Sequence, residues 1–164
     1  MAWKVFYSFH YEQDSSRAEK VRQIRFVEGN QPATDNDWET ITKGGAATIQ
    51  KWLDSQLQGK DAAIVLIGEY TAERKLINYE IRRAWQARKG VLGIYVHNLE
   101  DRWGEQSPKG RNPFDDITFR SGTFSRIVIA YDPPFSRSKD VYNHIADNIS
   151  AWISDAVKIR GQYA

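Results

Sequence analysis

Asp61-Ala62-Ala63-Ile64-Val65-Leu66-Ile67-Gly68 decides the fold. Six consecutive apolar residues between a charge and a glycine are too few to cross a bilayer and have no polar alternation. The run therefore predicts a strand buried on both faces, as at the centre of a parallel sheet. Working outward, Val91 to His97 is a second two-faced strand, and Trp3 to Phe9 a third, rich in aromatic and β-branched residues. Arg25 to Glu28 and Ile127 to Tyr131 complete the strand set.

Helices are expected between the strands. Ser16 with Glu19 three places later has capping-box spacing and predicts a helix from about Ser16 to Ile24. Ile49, Trp52, Leu53 and Leu57 recur at helical spacing after Gly44-Gly45. A third helix is expected from about Glu73 to Lys89, closed by Gly90, and a long last one begins near Ser138, with the stripe Val141, Ile145, Ile149, Trp152, Ile153 and Ala156. Alternating strands and helices predict an α/β fold: a doubly wound, mainly parallel sheet with helices on both faces, in flavodoxin-like order, over residues 1–164 as one domain. Leu99 to Thr123 is long for a passive connection and reads as a lid, a binding loop or a disordered stretch.

Composition excludes several classes of function. No cysteine is present, so disulfides, zinc thiolates and a thiol nucleophile are ruled out. Lys+Arg 23 against Asp+Glu 21 gives a formal net charge of +2, which predicts no general attraction to nucleic acid or membrane. The amino terminus shows no signal sequence, and a cytoplasmic location is expected. Glycine-rich phosphate loops are absent, and His10, His97 and His144 lie too far apart for metal spacing, so no metal site and no bound cofactor are expected.

Ligands of such a sheet bind at the carboxyl ends of its strands. Those positions hold Ser8-Phe9-His10-Tyr11, Gly68-Glu69-Tyr70-Thr71 and His97-Asn98. Ser8 and His10, two apart on one strand, are poorly placed to act as nucleophile and base. On the third helix Glu80 stands at the edge of the stripe Ile77, Ile81, Ala84 and Trp85, which by periodicity alone reads as a snorkelling surface glutamate.

Five segments change that reading: Val5-Phe6-Tyr7-Ser8-Phe9-His10, Ile64-Val65-Leu66-Ile67-Gly68, Asn78-Tyr79-Glu80-Ile81, Gly93-Ile94-Tyr95-Val96-His97-Asn98-Leu99 and Gly110-Arg111-Asn112-Pro113-Phe114. In this order they resemble the TIR-like proteins of bacterial Thoeris anti-phage systems. The resemblance implies a flavodoxin-like TIR fold and an enzyme that cleaves NAD as substrate, making an ADP-ribose-derived signal. Glu80 falls on the family's catalytic glutamate. Ser8, Phe9, His10 and Tyr11 then form the floor and wall of the NAD site, with Asp37 and Trp38 bordering it. Leu76 stands four residues before Glu80, where many TIR enzymes have tryptophan.

The expected partners are NAD and an effector protein reached through the diffusible nucleotide signal, with room for a phage-derived trigger and for self-association. A non-catalytic TIR-like module for protein interaction or nucleotide binding is the alternative.

Overall fold

The computed structural model describes residues 2–30 and 43–163. Five parallel strands run in the order β2-β1-β3-β4-β7, where β1 is Trp3–Phe9, β2 Val27–Gly29, β3 Ala62–Ile67, β4 Gly90–Tyr95 and β7 Ala130–Tyr131. This is the flavodoxin-like order expected from the strand–helix alternation. Every residue of β3 and of β4 is buried, as two-faced apolar runs require. The β1–β3 register pairs Ser8 with Val65 and Phe9 with Leu66, so the carboxyl ends of these two strands lie side by side.

Parallel strands need crossover helices, and these divide the core in two. Helices α1 (Tyr11–Arg22) and α4 (Ser138–Gly161) cover one face, where Val21, Ile145 and Ile149 pack on Val5, Ile64 and Leu92. Helices α2 (Gly45–Leu57) and α3 (Lys75–Gln86) cover the other, where Leu53, Ile77 and Ile81 pack on Phe6, Val65 and Val91. Across that second layer Arg83 grips Asp54 through two hydrogen bonds, Nε to Oδ1 at 2.7 Å and Nη2 to Oδ2 at 2.9 Å, which tie α3 to α2 and limit its rotation.

Several boundaries differ from the expected ones. Helix α1 begins at Tyr11 rather than Ser16, because the His10 ring accepts from the Gln13 N–H through Nδ1 at 3.1 Å and caps the helix directly behind β1. Ser15 then lies inside the helix and donates back to the Tyr11 carbonyl. Thr71–Glu73 form a separate 3-10 turn, so α3 starts at Lys75. The last strand shrinks to Ala130–Tyr131, because Phe124–Arg126 take a 3-10 turn and the Val128 N–H bonds the Phe124 carbonyl.

The long segment after β4 is ordered against the sheet. It contains a 3-10 turn, Pro113–Asp116, and a small hairpin of β5 (Thr118–Phe119) and β6 (Gly122–Thr123). It packs tightly at Gly110, where an added Cβ would lie 2.1 Å from the Gly68 carbonyl oxygen and 2.6 Å from that of Glu69. Backbone cannot yield as a side chain can. Gly110→Ala is expected to lower stability by about 1–3 kcal/mol and to speed amide exchange across residues 97–112, as measured by denaturant unfolding and hydrogen exchange.

Candidate functional site

Glu80 is buried, 6% exposed, inside the α3 face formed by Ile77, Ile81 and Ala84. It does not snorkel to water. The Ser8 hydroxyl, at the carboxyl end of β1 and itself 2% exposed, donates to Glu80 Oε1 at 2.7 Å. Seventy-two positions separate the two residues in sequence, and the pairing depends on α3 crossing β1.

Burial with no cation beside it among the described residues penalises the charged form of the carboxyl group. Desolvation pushes its pKa from the ordinary 4.5 up to about 8, and the Ser8 hydrogen bond opposes this only in part. The resting side chain is therefore mostly protonated at neutral pH. Such a carboxyl ionises most readily when positive charge arrives next to it.

The remaining expected residues are placed as follows. Phe9 and Tyr11 are half-buried and stacked, ring centroids 6.4 Å apart with 26° between planes, forming an aromatic wall at the end of β1. His10 is committed to the helix cap, and burial together with nearby Arg74 lowers its pKa. It therefore cannot serve Ser8 as a base through Nδ1. Leu76 is half-buried one turn before Glu80 on α3. Asp37 and Trp38 lie outside the described residues.

Two residues not anticipated from the sequence close the rest of the rim. Arg17 is 1% exposed: Nη1 bonds Asp14 Oδ1 at 2.9 Å, Nε the Leu99 carbonyl at 2.7 Å and Nη2 the Glu105 carbonyl at 2.8 Å. Asp14, fully buried, lies against Gly68, where a Cβ would come 2.1 Å from Oδ2. The pair ties the segment after β4 to α1 and to the end of β3. A signal was available: Asp14, Arg17, Ala18 and Val21 share one helical face, so two charged residues occupied apolar-stripe positions.

The Glu80 carboxyl group and its Ser8 partner stand together on the α2–α3 face at the carboxyl end of β1, whereas Phe9 of the aromatic pair packs on the opposite, α1–α4 face. The model of the family described as Thoeris protein ThsB, TIR-like domain, matches residues 6–101, which include all of them. The chain belongs to this TIR-like family. It is also similar to a Bacillus cereus (strain MSX-D12) protein named "Putative cyclic ADP-D-ribose synthase ThsB1", with 28% identity over 137 residues, 80% of this chain and 71% of the relative. Among the described residues of this TIR-like chain, no three His, Asp or Glu side chains gather as a metal site, and no helix is long and apolar enough to cross a membrane.

The raised pKa of Glu80 has a measurable sign. Between about pH 4.5 and pH 8 the native state keeps a proton that the unfolded chain releases, so this group's contribution falls as pH rises through that window. Glu80→Gln has no such titration. The melting temperature of Glu80→Gln minus that of the parent is expected to grow by several degrees from pH 5 to pH 9; a difference independent of pH would show that the carboxyl is not buried as described.

Proposed function

We propose that this TIR-like protein cleaves NAD in the cytoplasm, releasing nicotinamide and making a cyclic ADP-ribose isomer or related signal that activates a partner effector. The observation that carries this reading is the buried Glu80 carboxyl hydrogen-bonded to Ser8 at the carboxyl rim. The name of the Bacillus cereus relative, a cyclic ADP-D-ribose synthase, supports the NAD-processing class.

The chemistry suits a single acid. As the C1′–N bond breaks, its electron pair passes to the nicotinamide ring, which leaves neutral, and positive charge develops on the ribose. An acid for the leaving group is unnecessary. The nicotinamide cation of bound NAD favours the ionised form of Glu80, and in a dry pocket that carboxylate stabilises the oxocarbenium-like sugar far better than it would in water. Ser8 holds Oε1 in place throughout. The Phe9–Tyr11 wall offers a flat apolar surface to a ring of the substrate. Capture by a nucleophile of the adenine base closes a ring, with loss of its proton; capture by water gives open ADP-ribose.

Leu76 favours a second reading, a TIR-like module that binds or assembles without turnover, because an aliphatic side chain stands where a ring would stack. Incubation with NAD, with and without phage-infected lysate, followed by mass analysis separates the two. Nicotinamide release with an ADP-ribose product, reduced by about 10²–10³ in Glu80→Gln, supports the enzyme. No release under any trigger supports the module. For the enzyme, kcat/KM is expected to rise with pH to a plateau above about 8, following the free Glu80 carboxyl. The corresponding limb of kcat should lie at lower pH, because bound NAD favours the carboxylate.

A further inference from the structure

On the opposite face of the sheet from Glu80, a cavity of about 780 Å³ opens between α1, the segment after β4 and the start of α4. Lys20, Arg137 and Lys139 line it, with Glu100 as the one carboxylate. Arg137 is 3.8 Å from Asp140, while Lys20 and Lys139 form no ion pair among the described residues. The 24-residue helix α4 begins here with no side-chain cap, so its first-turn N–H groups add a further positive end. Ser138 accepts from the Glu100 N–H at 2.9 Å through its hydroxyl oxygen, which leaves the hydroxyl proton to donate.

We propose that this cavity binds a nucleoside diphosphate. Arg137, Lys139 and the helix N-terminus at the start of α4, with Lys20 facing them from α1, match two phosphate groups. The volume is far larger than a phosphate requires and lies within the range for whole small-molecule ligands. Two further lining groups are foreign to a simple anion site: the Tyr142 ring, which offers a stacking surface for a base, and the Glu100 carboxylate, which accepts from ribose hydroxyls but would repel a bare phosphate. The cavity takes no residue from β1 or α3, so the proposal is independent of turnover at Glu80.

Calorimetry with ADP, adenosine and pyrophosphate tests it on the intact protein. ADP is expected to bind measurably more tightly than either fragment. Arg137→Glu and Lys139→Glu should each weaken ADP by about tenfold or more, equivalent to about 1.4 kcal/mol; Tyr142→Leu should weaken ADP while leaving pyrophosphate unchanged, and Glu80→Gln should have no effect. Bound ADP should slow amide exchange at residues 99–106 and 136–142. Equal affinity for pyrophosphate and ADP would overturn the nucleotide assignment. So would charge reversals without effect, loss of binding in Glu80→Gln, or no binding of ADP. Melting curves of the variants separate loss of binding from loss of fold.

Discussion

The hydrogen bond from Ser8 to Glu80 is the interaction on which the site depends. It joins the end of the first strand to the middle of α3, and it gives a buried carboxyl group a partner without giving it a charge. A cation in place of Ser8 would hold the group ionised and screen it from a substrate. A purely apolar surround would leave it unsatisfied and strongly destabilising. The hydroxyl is the intermediate case: it orients the group, and the low-dielectric surroundings keep the ionised form costly until positive charge arrives.

That arrangement needs α3 at one rotation only. Ile77, Ile81 and Ala84 set the rotation by burying themselves against the sheet, and the Arg83–Asp54 pair on the outer side resists a turn about the helix axis. Glu80 shares the buried face because it lies three residues after Ile77 and four before Ala84. A second buried device works at the neighbouring strand ends, where Arg17 satisfies carbonyls of the segment after β4 and is balanced by Asp14. One charged pair thereby ties a long segment to α1.

Much of this was legible beforehand. Asp61 to Gly68 announced the central strand, and the spacing of hydrophobic residues placed α2 and α4 close to where they lie. The start of α1 was misread because capping by Ser16 is a local signal, whereas the His10 ring caps from the strand end. Arg17 and Asp14 were overlooked because charged residues on a helix usually face water, and only the segment arriving from residues 99–105 makes their burial favourable.

By itself the sequence determined the order of strands and helices, the two-faced core and the presence of a glutamate near an apolar stripe, since each follows from the periodicity of neighbouring residues. The tertiary structure alone decided that Glu80 is buried, that Ser8 is its partner and that its proton is held to unusually high pH. Those properties depend on solvent exclusion and on contacts between residues distant in the chain, which no local pattern encodes.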